Sequence, residues 1–243
     1  MDLEGKVAVI TGASRGLGAG MACAFNKAGL RLGLCARSAP VLLASDRVVA
    51  RRLDVSNGEA VDAFADEVFD RFGHVDLWIN NAGVLAPVAP LRDVTSDEFR
   101  RALEVNVLGV FHGSRAYVRL RRRSGRPGVL VNISSGAATS AYAGWSAYCA
   151  TKAAVELLTE SVALEEAGTG LRCHAVAPGV IDTQMQATIR AMPRERFPMV
   201  GKFLDLKEKN MFSSIDWVAQ HMLELAFGKG SSQVRIRFPA EKR

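Results

Sequence analysis

Two patterns of apolar positions alternate along the chain. Short runs of branched apolar residues, typical of buried parallel strands, occur at Lys6–Thr11, Arg31–Ala36, Val48–Leu53, Leu77–Asn80, Gly128–Ser134, Arg172–Ala177 and Gln233–Phe238. Longer stretches with the helical spacing of apolar residues occur at Leu17–Lys27, Gly58–Phe72, Ser96–Leu120, Ala147–Leu164 and Ile215–Phe227. This alternation predicts an α/β fold, a doubly wound parallel sheet of seven strands with helices on both faces.

Local signals refine the ends of several elements. Ser56 with Glu59, and Thr95 with Glu98, have the spacing of capping boxes and mark two predicted helix starts. The connection between the second and third predicted strands is short and contains Pro40. We therefore expect only one or two turns of helix there, or irregular chain.

The composition favours a single domain that covers residues 1–243. With 49% hydrophobic residues, a chain of this length can bury a sizeable core. The four cysteines are scattered within apolar patterns, so we expect no disulfides. The N-terminus lacks the layout of a secretory signal, and no apolar run approaches the ~20 residues that span a bilayer. These features predict a cytoplasmic protein with no membrane partner.

The net charge of +6 is compatible with a nucleic-acid partner, but its distribution argues against one. Much of the excess lies in one basic stretch that closes a predicted helix, at Arg119, Arg121, Arg122, Arg123 and Arg126. Cations favour that end of a helix, so we interpret the stretch as a solvated helix end and predict no nucleic-acid partner. The four histidines are dispersed without metal-ligand spacing, which predicts no metal site.

A glycine-rich turn follows the first predicted strand, with glycines at positions 12, 16 and 18. Gly12 permits a tight exit from the strand, Gly16 lets the backbone approach a pyrophosphate, and Gly18 lets the next helix pack closely. That helix directs its positive N-terminus at the phosphates. The position of the turn between a strand and a helix predicts a dinucleotide-binding site.

Tyr148 and Lys152 lie at the start of another predicted helix. Because they are four residues apart, their side chains share one helix face, close enough for the cation to act on the phenol. Proton transfer near neutrality needs the phenol pKa to fall by roughly 3 units, and a fixed ammonium can supply much of that shift. With Ser135 upstream, the set predicts proton transfer to a carbonyl oxygen. For the pair alone, an ordinary surface helical pair is the alternative.

Three further segments follow in order: Asn80-Asn81-Ala82-Gly83, Asn106 within Glu104–Val107, and Pro178-Gly179 with Thr183. Together with the glycine turn and the Ser135, Tyr148 and Lys152 set, they resemble the short-chain dehydrogenase/reductase family. The resemblance implies one Rossmann-type NADP-binding domain. Residues 1–134 would form mainly its cofactor half, and residues 135–243 would carry the catalytic helix, the substrate lid and the last strand.

A narrower likeness, to the sepiapterin reductase and benzil reductase branch, covers Gly144–Ala150, Ala163–Glu166 and Ala177–Gln186. Members of that branch reduce a ketone of a vicinal dicarbonyl with NADPH. The likeness departs at the C-terminus, where sepiapterin enzymes carry an Asp that anchors the pterin. This chain ends in Arg237–Arg243 without such an Asp, which argues against a pterin substrate.

The resemblance implies direct hydride transfer to a carbonyl carbon. Tyr148 would donate the proton, and Ser135 would position the carbonyl oxygen. Lys152 would lower the pKa of the phenol and hold the nicotinamide ribose. Asn106 would hold a water that relays protons, and for this residue a helix-kinking or capping role is an equal alternative.

The resemblance also assigns cofactor contacts. Asp54 would meet the adenine amino group, and Pro178, Gly179 and Thr183 would grip the nicotinamide carboxamide. The full predicted set is Gly12, Ser14, Arg15, Gly16, Leu17, Gly18, Arg37, Asp54, Val55, Asn81, Ala82, Gly83, Tyr148, Lys152, Pro178, Gly179, Ile181 and Thr183.

The choice between NAD and NADP can be argued from charge. An NAD site normally places an acidic residue at the end of the second strand, and here Cys35 and Ala36 stand there, followed by Arg37. Arg15 is a second cation able to reach the same ribose. Two guanidinium groups without a carboxylate suit a 2′-phosphate, so we predict NADP(H) as the cofactor.

Ser135, Tyr142, Trp145 and Met185 are the predicted substrate contacts. The apolar set Tyr142, Trp145, Met185, Met192, Phe197 and Met199 suggests a hydrophobic or aromatic small-molecule carbonyl compound, and ordinary core packing is the alternative for each of them singly. The lid region after Thr183 is interrupted by prolines. Two alternatives stay open, a general ketoacyl or steroid reductase and a non-catalytic NADP-sensing protein. Because family members pair through their two long helices, we expect a homodimer or homotetramer.

Overall fold

The computed structural model describes residues 1–241, so the last two residues of the C-terminal segment lie outside the described residues. Seven strands form one sheet, and every pairing between them is parallel. The strands are β1 Val7–Thr11, β2 Arg31–Ala36, β3 Val48–Arg52, β4 Leu77–Asn80, β5 Gly128–Ile133, β6 Leu171–Ala177 and β7 Arg235–Arg237. The predicted seven-stranded parallel sheet is therefore confirmed.

Eight α-helices connect or follow these strands in the described chain. They are α1 Gly16–Lys27, α2 Gly58–Phe72, α3 Ser96–Leu103, α4 Gly109–Ser124, α5 Ser146–Glu165, α6 Gln184–Arg190, α7 Val200–Glu208 and α8 Ile215–Phe227. Two short 3₁₀ turns occur at Leu91–Asp93 and Gly136–Ala138. Among the helices of residues 1–241, none is both long and apolar enough to cross a bilayer.

The strand order is β3-β2-β1-β4-β5-β6-β7, which reverses direction between β1 and β4. In the register of these two central strands, Ile10 lies beside Ile79. The carboxyl ends of β1 and β4 are consequently neighbours, and a crevice opens at this switch point. Both the glycine turn and the Asn81-Ala82-Gly83 segment begin there.

Apolar cores cover both faces of the sheet, as the doubly wound fold predicts. On one face, α1 and α8 bury side chains such as Phe25 and Met222 against the strands. On the other, α2 and α4 pack Phe64 and Tyr117 around the fully buried Trp78. Burial of this kind supplies the main favourable free energy of folding.

The predicted helix Ser96–Leu120 is longer and less regular than expected. A π-helical turn at Glu104–Leu108 separates α3 from α4, and α4 continues to Ser124. Gly125 then ends the helix in the left-handed region, at φ 65°. Apolar periodicity alone does not reveal an inserted π turn, because the turn shifts the helix face by a single residue.

One of the two predicted capping boxes is confirmed. The Thr95 hydroxyl accepts from the Glu98 amide at 3.2 Å, and the Glu98 carboxylate accepts from the Thr95 amide at 2.9 Å. The prediction for Ser56 is wrong, since Asn57 caps α2 by accepting from the Ala60 amide. Ser56 instead donates its hydroxyl to the Asp54 carboxylate, at 2.8 Å.

The basic stretch at the end of α4 agrees in part with the interpretation as a solvated helix end. Arg123 pairs with Asp66 of α2 at 2.6 Å, and Arg122 pairs with the buried carboxylate of Glu166. Arg121 is itself buried and donates to the Thr169 carbonyl at 2.6 Å. Of the five arginines, Arg121 is therefore used inside the fold, and the other four are exposed at the helix end.

Two other predictions concern the connection between β2 and β3 and the length of β7. The connection between β2 and β3 contains no helix, as the proline and the short length predict. β7 is shorter than predicted at both ends and covers only residues 235–237. It is an edge strand with a single neighbour, and Pro239 has no amide hydrogen with which to extend the pairing.

Candidate active site

The glycine turn leaves β1 in a conformation that only glycine adopts easily. Gly12 has φ 70° and Gly16 has φ 58°. A Cβ on Gly12 would lie 2.8 Å from the Cα of Ala82, so a side chain is sterically excluded there. At Gly16 the nearest atom to such a Cβ would be 3.6 Å away, on Thr183. The turn therefore excludes a side chain at Gly12, whereas a Cβ on Gly16 would only reach ordinary van der Waals contact with Thr183.

The first backbone amides of α1 are unpaired hydrogen-bond donors at the crevice. Its N-cap residue, Arg15, makes no capping hydrogen bond, and the first turn contains no acidic residue. The first amides of a helix without a cap are free to bind an anion, and the helix dipole favours one. Leu17 packs on the core while Ser14 is half-buried in the turn. These residues fit the phosphates of a dinucleotide.

Thr11 and Asn81 join the glycine turn to the segment after β4. The Thr11 hydroxyl accepts from the amides of Asn81 and Ala82, both at 3.0 Å. The Asn81 side chain donates to the Thr11 carbonyl at 2.9 Å. Asn81 thus fixes the floor of the crevice, together with Ala82, rather than presenting its amide to a ligand. Thr11 had no predicted role, because its contacts cross between strands distant in sequence.

Arg15 and Arg37 stand at the open edge of this crevice. Both side chains are exposed, and within residues 1–241 neither has an ion-pair partner. Cys35, at the end of β2, is buried, and burial raises the pKa of its thiol to about 12. The end of β2 therefore carries positive charge from Arg37 and no carboxylate.

Asp54 is held by three hydrogen bonds. One carboxylate oxygen accepts from the Ser56 amide and hydroxyl, and the other accepts from the Arg101 guanidinium at 2.7 Å. Partial burial raises the pKa of Asp54, but these hydrogen bonds outweigh it and lower the pKa to about 2. Next to it, the buried Val55 accepts from His112 through its carbonyl. Arg101 was not predicted, since nothing in its local sequence distinguishes it from a surface cation.

Ser135, Tyr148 and Lys152 come together at the carboxyl end of β5. Tyr148 lies in the first turn of α5, is only 9% exposed and hydrogen-bonds with the Ser135 hydroxyl. The Lys152 Nζ lies 5.7 Å from the centre of the Tyr148 ring and donates to the Ile133 carbonyl at 2.7 Å. The spacing of four residues therefore brings the ammonium to the phenol ring, as predicted.

The pKa values differ from the sequence-based expectation. Burial raises the pKa of the Tyr148 phenol, and the hydrogen bond with Ser135 only partly opposes this. Burial also lowers the pKa of Lys152, to about 8. The expected depression of the phenol pKa by Lys152 is not found, because burial is the largest cause of the shift and Lys152 is not among its causes. Tyr148 thus keeps its proton at neutral pH in this structure.

Asn106 lies at the centre of the π turn and is fully buried. Its amide oxygen accepts from the Val84 amide, and its amide nitrogen donates to the Val84 carbonyl, both at 2.8 Å. The nitrogen also donates to the Thr151 hydroxyl at 3.1 Å. The Asn106 side chain therefore holds the chain after Gly83 against α5. This agrees with the alternative of a structural role for this residue.

The segment from Pro178 to Thr183 runs from β6 to the first lid helix. Gly179 has φ 86°, and Ile181 is buried where it bridges to Ser213. Thr183 occupies the N-cap position of α6 without a side-chain capping hydrogen bond, and its methyl group would lie 3.6 Å from a Cβ on Gly16. This segment therefore adjoins the glycine turn, as the predicted cofactor contacts require.

An aromatic cluster covers the site beside Tyr148. Trp145 is 4% exposed, packs edge-on against Tyr148 at 5.5 Å and stacks on Phe197 at 4.7 Å. Tyr142 lies 5.0 Å from Trp145, so the structure brings both predicted residues to the site. Met185 is exposed on α6 and is not part of this cluster. Phe197, which belongs to the predicted lid set, lies in this cluster, and Phe203 was not predicted.

A buried polar network supports these residues from below. Asn80 donates to Asn132 at 2.8 Å, and Asn132 donates to Thr159 of α5 at 2.9 Å. Ser134 donates to the buried carboxylate of Glu156 at 2.8 Å, so its hydroxyl has a structural role. The network fixes β4 and β5 against α5 at the base of the site.

The geometry can be compared with known proteins. The sequence model of the short chain dehydrogenases matches residues 6–194. The chain belongs to this family. It is 37% identical over 204 residues to 3beta-hydroxysteroid dehydrogenase 1 of Eggerthella lenta, covering 80% of this chain and 78% of the relative. It is 31% identical over 236 residues to a benzil reductase ((S)-benzoin forming) of Bacillus subtilis, covering 94% and 96%.

Solved structures agree with the sequence comparisons. The KRED1-Pglu enzyme superposes with a TM-score of 0.86 at 34% identity, over 95% of this chain and 99% of that one. Aldohexose dehydrogenase of Thermoplasma acidophilum gives 0.84 at 30% identity, over 97% and 93%. The predicted family resemblance is confirmed, with benzil reductases among the relatives. Short-chain dehydrogenases are oxidoreductases that act on alcohol and carbonyl groups with a nicotinamide cofactor.

Proposed function

We propose that this protein is an NADPH-dependent carbonyl reductase in which Tyr148 donates the proton. The observation that carries the proposal is the hydrogen-bonded pair of Tyr148 and Ser135, walled by aromatic rings and next to Lys152. The substrates are hydrophobic or aromatic ketones, including vicinal dicarbonyl compounds. The reaction converts the carbonyl group to a secondary alcohol.

The bound cofactor supplies a hydride to the carbonyl carbon. Tyr148 holds its proton at neutral pH because burial raises its pKa, and it passes this proton to the carbonyl oxygen as negative charge develops there. Ser135 donates a hydrogen bond to the same oxygen and orients it. The aromatic walls exclude water from the reacting groups.

Lys152 supplies positive charge below its pKa of about 8 and stabilises the phenolate left after proton transfer. Its Nζ lies beside the crevice floor, where a Cβ on Gly83 would be only 3.9 Å away. From this position the ammonium would also hold the nicotinamide ribose. The Asn106 side chain keeps that floor against α5. Its proposed role is positional, with any proton relay left to its backbone carbonyl.

The preference for NADP(H) is supported by Arg15 and Arg37. Both are exposed cations without ion pairs among the described residues, and the end of β2 bears no carboxylate that would repel a 2′-phosphate. Charge-assisted hydrogen bonds to phosphate are stronger than neutral ones, roughly 1.5–3 kcal/mol each. We propose that Asp54 meets the adenine amino group with the acceptor capacity that Ser56 and Arg101 leave free.

We also propose a homodimer or homotetramer in the cytoplasm. Large apolar side chains stand exposed on α4 and α5, among them Phe111, Leu157 and Leu164, the last two 61% and 79% exposed. Apolar surface of this kind on adjacent helices favours burial against a second copy.

A panel of ketones tests the activity, with reduced nicotinamide absorbance as the readout. Benzil and other vicinal diketones, a 3-ketosteroid and an acetoacetyl thioester would each be offered with NADPH and with NADH. The proposal predicts turnover of the aromatic diketones with NADPH preferred. The relatives that act on 3beta-hydroxysteroids favour the steroid as second candidate. Tight NADPH binding without turnover of any ketone would contradict the proposal.

A further inference from the structure

The C-terminal segment returns from β7 to the start of α8. The Glu241 carboxylate accepts from the Ser214 amide at 2.6 Å with one oxygen and from the Ser214 hydroxyl at 3.0 Å with the other. Ser214 is the N-cap of α8, and its hydroxyl accepts in turn from the Trp217 amide at 3.2 Å. The helix dipole favours a carboxylate at this end of a helix. Glu241 therefore holds the N-cap residue of α8 in place.

The residues on either side of this N-cap contact the two walls of the cofactor crevice. Ser213 is 7% exposed, donates its amide to the Val180 carbonyl at 2.9 Å and forms a β-bridge with Ile181. Ile215 packs against α1, where a Cβ on Gly20 would collide with its side chain. Residues 213–215, which we call the α8 joint, thus connect the proposed nicotinamide segment to the helix that carries the glycine turn.

The α8 joint also closes the base of the lid. Helices α6 and α7 lie between Ile181 and Ser213, so the bridge between these two residues marks where the lid leaves and rejoins the fold. Asp182, next to Ile181, pairs with Arg190 of α6 and Lys207 of α7. Movement of the α8 joint would consequently reach both lid helices as well as the nicotinamide segment.

The C-terminal segment has other contacts that place it beside α8. The Phe238 amide donates to the Ala177 carbonyl at 3.1 Å. The Phe238 ring lies 6.2 Å from the Trp217 ring and 5.3 Å from the His221 ring. Substitution of Glu241 therefore removes the carboxylate from the α8 joint and leaves these contacts of the segment in place.

We infer that Glu241 is a positioning residue of the cofactor site, which fixes the α8 joint so that the nicotinamide segment and α1 keep their spacing around NADP(H). The inference rests on the proposed NADPH-dependent function and adds a residue to the same site. Glu241 acts through Ser214 and its neighbours, without a contact of its own to the cofactor. Residues that touch no ligand can change its affinity when they fix elements that do.

Two variants of Glu241 and one control variant test this role. Glu241→Ala removes both acceptor oxygens, whereas Glu241→Gln keeps one acceptor for the Ser214 amide. The control, Thr95→Ala, removes the cap of α3, whose first turn contains no proposed cofactor contact. In fluorescence titrations the dissociation constant of NADPH should rise roughly 3- to 10-fold in Glu241→Ala, less in Glu241→Gln and not at all in Thr95→Ala. In turnover, KM for NADPH should rise by a similar factor in Glu241→Ala, with a smaller change in kcat.

Hydrogen exchange of the protein without cofactor separates this inference from the proposed function. The Ser213 amide, which is bonded to the Val180 carbonyl, should exchange faster in Glu241→Ala than in the unmodified protein, and Thr95→Ala should leave its rate unchanged. Unchanged exchange at Ser213, or an NADPH affinity of Glu241→Ala equal to that of the unmodified protein, would overturn the inference. If the unmodified protein binds neither NADPH nor NADH, the proposed function fails instead, and the exchange at Ser213 still decides whether Glu241 fixes the α8 joint.

Discussion

Replacement of Lys152 by methionine isolates the free-energy cost of burying an ammonium group in the site. Lys152 is 5% exposed, and burial lowers its pKa from 10.5 to about 8. In the unfolded chain the same group titrates at its ordinary value, so between these two values the unfolded state binds more protons than the folded state. Folding stability must then rise with pH across that window.

The magnitude follows from the two pKa values. Below about pH 8 the desolvation cost of the charged group is fully present, and it fades as pH rises towards 10.5. Between about pH 7 and 9.5 the expected gain in the free energy of unfolding is about 2 kcal/mol. The variant also loses the hydrogen bond from Lys152 to the Ile133 carbonyl. This loss lowers the unfolding free energy of the variant by mainly the same amount at every pH.

The assay is urea unfolding of the unmodified protein and Lys152→Met at several pH values, followed by circular dichroism. Other alkaline groups are common to both proteins and cancel in the difference. The unfolding free energy of the unmodified protein, minus that of the variant, should rise by about 2 kcal/mol over the range. A difference that stays flat would refute the reasoning, because Lys152 would then titrate alike in the folded and unfolded states.

Three further changes have defined outcomes. Arg37→Asp should weaken NADPH and favour NADH, by about 1.5–3 kcal/mol in relative binding, and unchanged cofactor preference in fluorescence titrations would exclude Arg37 from the ribose site. Thr95→Ala removes the capping box of α3 and should lower the unfolding free energy by about 1 kcal/mol, whereas Thr95→Ser should retain most of it. Gly18→Ala brings a Cβ into contact with Asn81 and the Gly12 carbonyl, so both stability and NADPH affinity should fall, by about 1–3 kcal/mol in stability. Normal NADPH affinity in a folded Gly18→Ala protein would contradict the predicted role of the turn.

Features encoded by neighbouring residues could be predicted from the sequence. The glycine turn could be predicted because strand, glycines and helix follow one another within a few positions, and in the structure Gly12 and Gly16 have positive φ angles. The approach of Lys152 to Tyr148 follows from helical spacing alone. Alternating apolar patterns gave the strands, helices and parallel sheet, because each element has its own period.

Features set by distant contacts could not be predicted. Arg101 reaches Asp54 from 47 residues away, so its ion pair could not be read from the local sequence. The ion pairs of Arg122 with Glu166 and of Arg123 with Asp66 join residues that are far apart in sequence. The pKa directions of Tyr148 and Lys152 are governed by burial, a property of the whole packed site rather than of the pair.

The most direct test of the proposed mechanism is the activity of Tyr148→Phe on a good ketone substrate with NADPH. The variant keeps the ring that packs on Trp145 and loses only the hydroxyl. We predict that kcat/KM falls by about 10²–10⁴-fold, the range for loss of a general acid, while NADPH binds with unchanged affinity. A Tyr148→Phe protein that reduces the ketone at the rate of the unmodified protein would contradict the account.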